Sequence, residues 1–429
     1  MVNRELEEPR PAVSQRALIL LLLYFLNTLL VLDKIILSVL LEPIKAEFSL
    51  NDSQLGLLTG AAYALCLGVA SIPFGIAVDR TNRRNLASAC LAVWSGMTAL
   101  CAMAPNYLVF LLARLGVGLG EAGGGPTSLS IISDLYEHKR RATAMAIFSL
   151  GSPTAALINL TLNTQIAHYF GWRGALIAAA VPGLLLALSI RLFTSEPERL
   201  NTRTQSAAEE APPLKETLAF ILSQRSLVWL LSGAAISYIV LAGVSSWNFS
   251  YIVRNFDVSL HEIGPYLGVA ISAAGLIGTY LTGRVADYLG QKNEAWRCWV
   301  MALTTIGAIS FGTVVFTTSS LTAAVLCTAG LATCATLWTA PGFALSQSLV
   351  RARMRGVTGS IIFLIANLIG YGLGPLLVGA FSDLYYATQG EDGLQFAILA
   401  VLSLDIIAVF CFLRAAGPLT EDLKKAQKI

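Results

Sequence analysis

A run of about 20 apolar residues crosses a bilayer only as a helix, because every backbone N–H and C=O must find its partner inside the segment. This 429-residue chain carries twelve such runs, at approximately 17–41, 53–78, 85–104, 106–134, 141–167, 172–193, 226–252, 262–286, 297–317, 320–349, 356–383 and 394–414. The expected fold is therefore an all-α integral membrane protein. Only 13% of residues are charged, where a soluble domain carries about 25%. The first run is long and no small-residue cleavage site follows it, so it reads as a span and not as a leader peptide.

The basic residues set the expected orientation. With the N-terminus in the cytoplasm, 24 of the 29 Lys and Arg fall in cytoplasmic segments. Lys45, Arg173 and Arg254 fall outside, and Lys34 and Arg114 lie within apolar runs. This is the positive-inside distribution, and it places both termini in the cytoplasm. The seven Cys show no CxxC spacing and the three His lie near loops. Neither a metal site nor a disulfide framework is expected, and the Cys read as packing residues.

Residues 194–225 form the one long polar stretch, with three Pro and mixed charge, and read as a cytoplasmic linker. The expected organisation is a tail at 1–16, a six-helix bundle at 17–193, the linker, a second bundle at 226–416 and a tail at 417–429. The halves share a signal. Gly56, Gly60, Gly75 and Asp79 recur as Gly264, Gly268, Gly283 and Asp287, each 208 positions on. Glycine is common in membrane helices, but that does not account for the aligned Asp. A parallel repeat of six helices follows.

Four charges stand in the apolar runs of the first half: Asp33, Lys34, Arg114 and Glu121. A charge at bilayer depth costs roughly 2.5 to 3.5 kcal/mol even on the mildest scale, so the default reading is a proton or substrate pathway. Asp33 and Arg114 each lie about eight residues from the outer end of their spans and share a depth. Glu121 is seven residues beyond Arg114, on the same helix face, nearer the midplane. Neighbours on a helix differ by about 100° in direction, so Asp33 and Lys34 cannot face the same way. Lys34 shares its stripe with Asn27, Val31 and Ser38 and is expected to face a cavity. Asp33 shares its stripe with leucines and is expected to face a neighbouring helix, with Arg114 as a candidate partner. Burial disfavours the carboxylate and a nearby cation favours it. An acid whose cation moves away between states would bind and release a proton. The same residues also fit a static ion pair that fixes helix register.

Further polar positions are candidates for cavity lining or for interhelical glue: Asn27, Asn159, Asn163, Trp247, Asn248, Tyr251, Asn367 and Tyr371. Asp405, a lone acid inside the last span, has no assigned role in this reading. After the second span comes Gly75-Ile-Ala-Val-Asp79-Arg80-Thr-Asn-Arg83-Arg84, and after the eighth Gly283-Arg-Val-Ala-Asp287. With Asp134 at the end of the fourth span, these make a candidate conformational latch, or else a solvated charge cap.

Both loop segments resemble the GxxxDRxGRR signature of the major facilitator superfamily, with Asn82 where the signature usually has Gly. Three further features look like the Spinster branch of that superfamily. They are Asp33-Lys34, the fourth span Ala113-Arg114-Leu-Gly116-Val-Gly118-Leu-Gly120-Glu121 onward, and the eleventh span Gly370-Tyr-Gly372-Leu-Gly374-Pro375. Spinster proteins typically carry Arg after the Asp. Lys34 keeps the charge but loses the bidentate fork.

The resemblance implies a twelve-helix secondary carrier working by alternating access, in a bacterial inner membrane, with protons as coupling ions and no other cofactor. It implies an amphiphilic, lipid-like substrate. The rival within transport is a proton symporter for sugar acids or other organic anions, held by Lys34 and Arg114. No partner beyond substrate, protons and lipid is expected: no nucleic acid, and a monomer. No GxxxxGK[ST] loop is present to run an ATP-driven pump. A membrane-embedded lipid-modifying enzyme would need a reactive dyad that the sequence does not offer, so no catalytic residue is assigned. A passive channel or scramblase would show no saturable, gradient-driven counterflow.

Overall fold

The computed structural model describes residues 13–197 and 213–427. Every regular element among them is a helix. Ten unbroken stretches are long and apolar enough to cross a membrane, and two of these double back. Arg140–Phe193 turns at Gly171, whose φ of 71° is a left-handed conformation open to glycine without steric cost. Ala352–Ala416 turns at Gly390–Asp392.

Twelve crossings result: α1 (Ser14–Val39), α2 (Asp52–Arg80), α3 (Arg83–Ala102), α4 (Tyr107–Leu135), α5 (140–170), α6 (172–193), α7 (Arg225–Phe256), α8 (Leu260–Lys292), α9 (Ala295–Thr317), α10 (Leu321–Ser348), α11 (355–389) and α12 (393–416). Each expected run maps onto one of them. Side-chain caps set several starts. Asn51 opens α2 in a capping box with Gln54, and Asn106 opens α4. Asn82 opens α3 by accepting the Asn85 N–H at 2.9 Å, with φ of −69°. The Gly-to-Asn departure in the loop signature is thus a helix cap that needs no left-handed backbone.

The first six crossings pack on one another, chiefly α3 on α4 and α6, α2 on α4, and α1 on α5. The last six repeat this as α9 on α10 and α12, α8 on α10, and α7 on α11. Two parts of the polar ends are more ordered than the sequence reading expects. Within the linker, Leu214–Ser223 is an amphipathic helix whose Ile221 joins a core with Leu227, Leu349 and Leu419. The expected C-terminal tail is a helix, Leu419–Gln427, and its buried Asp422 accepts the Ser226 N–H at 2.7 Å. The expected N-terminal tail and the centre of the linker lie mostly outside the described residues.

The two halves touch through α2 against α11 and α5 against α8. The repeated glycines sit on these seams. A Cβ on Gly56 would lie 2.5 Å from the Pro375 carbonyl oxygen, and one on Gly60 2.8 Å from that of Tyr371. Gly264 and Gly268 press in the same way on Leu160 and Thr161. Backbones approach this closely only over small residues. The helices then diverge. A Cβ at Gly68 would clear Leu368 by 3.7 Å, and at Gly75 it would meet nothing within 4 Å. Gly275 on α8 is equally open. The molecule is a V, closed at the end that carries Asp52 and open at the end that carries Arg83.

Candidate functional site

A cavity lies between the halves near mid-depth, with about 1070 Å³ free of protein atoms, counting the part open to solvent. Its wall is largely apolar, including Leu37, Val240, Val244, Phe249, Leu331 and Leu402. One cation stands in it. Lys34 Nζ donates to Asn367 Oδ1 at 3.0 Å and lies 3.4 Å from the centre of the Tyr371 ring. Asn367 and Tyr371 come from a π-helical stretch of α11, Ile365–Tyr371, and Asn159 opens another, Asn159–Asn163 on α5. Such bulges turn side chains out of regular register. Lys34 therefore faces the cavity as its stripe predicts.

The other three charges lie behind that wall, at 1–2% exposure. Asp33 Oδ1 accepts from Thr98 Oγ1 at 2.9 Å. Arg114 does not reach the Asp33 carboxylate as an ion pair. It donates to the Asp33 backbone carbonyl at 3.4 Å and stands 5.4 Å from the centre of the Tyr63 ring. Its Nε and Nη2 find no acceptor in the protein. Tyr63 donates its phenolic hydrogen to Glu121 Oε2, while Glu121 Oε1 has no partner. The four residues thus form a layered cluster in which each acid holds a neutral hydroxyl and the guanidinium lies between them, under-satisfied. Buried charges in that condition are rare, because each incompletely paired group costs free energy. Arg114, a candidate charge partner or anion-holding residue, is off the cavity wall in this state, whereas Lys34 stands on it.

The polar candidates divide. Asn159, Asn248 and Tyr371 line the cavity, and Asn248 Oδ1 is without a partner. Asn367 touches it through Lys34. Asn27 instead ties α1 to α5 through the Phe148 carbonyl at 2.9 Å, and Asn163 bonds Asn159 at 3.3 Å. Trp247 is fully buried and donates to the Pro375 carbonyl at 2.9 Å, bracing α11 where Pro375 interrupts its hydrogen bonds. Tyr251 lies at the closed end, edge-on to Phe316. Asn27, Trp247 and Tyr251 join helices and Asn163 bonds within its own, and none of the four lines this cavity, because a helical stripe gives direction without saying which neighbour fills it.

At the open end, Arg83 pairs with Asp134 and with Glu196, 2.8 Å away, and Arg84 binds the Thr194 carbonyl at 3.0 Å. All of these lie in the first bundle or at the very start of the linker. Gly75, Asp79 and Arg80 stand exposed. The surroundings of Gly283 and Asp287 lie outside the described residues. The closed end is joined by a network that the sequence reading did not assign. Arg254 of α7 holds Asp52 of α2 at 2.8 Å and Glu42 at 3.0 Å. Lys45 and Ser382 also donate to Asp52, each at 2.7 Å. Asp383 accepts the Asp52 and Ser53 N–H groups at the start of α2. The signal for this network was charges at span ends. For Tyr63 and Thr98 it was polar residues inside spans, and for Glu196 the acid just after α6.

The family model of the Major Facilitator Superfamily matches residues 23–375. The chain belongs to this superfamily. It is a multi-pass membrane transporter and not an enzyme. It is similar to an MFS-type efflux pump of Mycolicibacterium smegmatis, 27% identical over 94% of this chain and 92% of that one. A sphingosine-1-phosphate transporter of Danio rerio is 24% identical, over 95% of this chain and 85% of that one. Among solved structures, a bacterial homolog of the human lysosomal transporter Spinster, inward-facing and unoccupied, superposes with a TM-score of 0.84 at 28% identity. The match covers 96% of this chain and 99% of that one.

Proposed function

We propose that this transporter is a proton-coupled, alternating-access exporter of an amphiphilic anion. The observation that carries the reading is the cavity itself: one cation, Lys34, set in a largely apolar wall between two halves that part at one end. An acidic headgroup would sit on Lys34 and an alkyl chain along Val240, Val244 and Leu331. The basic-residue distribution supports a cytoplasmic open end, so the cavity would take substrate from inside, in keeping with the efflux-pump and sphingosine-1-phosphate-transporter relatives. Asp33 and Glu121 would carry the protons. Their hydrogen bonds to hydroxyls and the unpaired nitrogens of Arg114 leave the guanidinium free to change partner as the halves rock.

The test is proteoliposomes with an imposed pH gradient, assayed with alkyl phosphates or lysolipids and, in parallel, with sugar acids. Gradient-driven, saturable movement of the amphiphile is expected. Lys34→Gln should weaken its binding about 10- to 100-fold, the worth of a charge-assisted hydrogen bond. Movement of sugar acids alone would favour the organic-anion symporter and sink the amphiphile reading.

A further inference from the structure

The wall opposite Lys34 holds a second charge. Asp405 of α12 lines the same cavity and is 4% exposed. Its Oδ1 accepts from Ser237 Oγ of α7 at 2.8 Å. No hydrogen bond to its Oδ2 and no ion pair to the residue occurs among the described residues. Thr328, which lines the same wall from α10, has a buried hydroxyl without a partner. A carboxylate held by a single hydroxyl in an apolar wall is under-satisfied. A purely structural polar residue at this depth would be saturated by its neighbours. An oxygen without a protein partner, on a cavity wall, points to a donor that arrives with the ligand.

We infer that Asp405, oriented by Ser237, is a second recognition point of this cavity, taking an ammonium or similar cationic donor on the transported amphiphile. The inference rests on the proposed carrier reading and narrows its substrate to a zwitterion. The anionic group would lie on Lys34 in the first half and the ammonium on Asp405 in the second, with the alkyl chain against the leucines and valines between. Such a ligand bridges both halves, so its charges sense the rocking motion directly. It also supplies the counter-charge that each wall lacks. An amphiphile with the phosphate alone would leave Asp405 desolvated and unpaired, and would be disfavoured by that penalty.

Three probes of equal chain length separate the possibilities: dodecylphosphoethanolamine, dodecyl phosphate and dodecylammonium. Each is measured by saturable binding to the full-length protein in nanodiscs, with empty nanodiscs subtracted. The phosphoethanolamine should bind about tenfold or more tightly than the phosphate, the gain of one charge-assisted hydrogen bond. Asp405→Asn should bring that ratio to about one while leaving dodecyl phosphate binding in place, which also reports that the variant is folded. Lys34→Gln should weaken both phosphates and spare dodecylammonium. A ratio near one in the unaltered protein, or a ratio that survives Asp405→Asn, overturns the inference. So does equal loss of both phosphates in Asp405→Asn, which would mark the acid as structural or as a proton carrier. If neither phosphate binds, the amphiphilic-anion reading fails by itself. Saturable dodecylammonium binding that is lost in Asp405→Asn would then still support the subsite, and its absence would overturn that too.

Discussion

Asp33 and Glu121 are both buried, yet each is held by a neutral hydroxyl, Thr98 for one and Tyr63 for the other. An amide reproduces their shape but cannot cycle a proton. Asp33→Asn should therefore abolish uptake driven by a pH gradient and leave substrate exchange without a gradient intact. Normal gradient-driven transport in that variant would return the cluster to a static role. Glu121→Gln then distinguishes one proton site from two. Outside the membrane, Glu47 is held below the usual carboxylate range, first by Arg173 and then by the Trp172 indole at 2.7 Å. A depressed acid contributes stability that is full above its unfolded value of 4.5 and is lost as pH falls through the lower folded one. Acidification below pH about 4 should thus lower the melting temperature less in Glu47→Gln than in the unaltered protein. The pair is largely solvated, so the difference should stay under about 1 kcal/mol.

Helices α2 and α11 meet over Gly60 and part by Gly75, and this gradient gives opposite expectations for two similar substitutions. At Gly60 an added Cβ would lie 2.8 and 3.0 Å from two carbonyl oxygens of the α11 backbone. Gly60→Leu should open the Asp52 end or destabilise the fold by about 1–3 kcal/mol, as overpacking does. Gly75→Leu meets open space in this state. It should leave thermal stability within about 0.5 kcal/mol while stopping transport, because the same helix must close there in the other half of the cycle. A Gly75→Leu protein that transports normally would mean that α2 and α11 never approach at that end. The element scale also explains Asn82, which serves as a cap where the family signature prefers glycine.

Across the whole molecule, the closed end depends on a few charges that join chain segments far apart in sequence. Asp52 takes donors from Arg254, Lys45 and Ser382, and Arg254 is about a quarter exposed. Removing the acid leaves Arg254 with Glu42 alone, at a cost discounted for that exposure to about 1–3 kcal/mol. Asp52→Ala should move the population away from the present state by about tenfold or more. Labels at positions 47 and 391 should then show longer distances by electron-electron resonance. Asp79→Asn should act in the opposite sense, favouring the present state by weakening closure of the other end. Labels at 81 and 353 read that outcome, and an unchanged distribution would make Asp79 a charge cap.

The twelve crossings, the all-helical class and the family were legible in the chain itself, because a bilayer leaves a long apolar run one way to satisfy its backbone. The four intramembrane charges were equally legible, since their cost in hydrocarbon makes them conspicuous. Helical periodicity also turned Lys34 toward the cavity. Periodicity assigns a direction to each side chain, but not the helix that occupies it. The tertiary structure therefore decided that Arg114 meets the Asp33 carbonyl and Tyr63, that Asn27, Trp247 and Tyr251 brace helices, and that Asp405 opens onto the cavity across from Lys34. Which end is shut was likewise settled only by contacts such as Asp52 with Arg254, 202 residues apart. Such pairings depend on how two independently folded faces come together, and no local pattern encodes that.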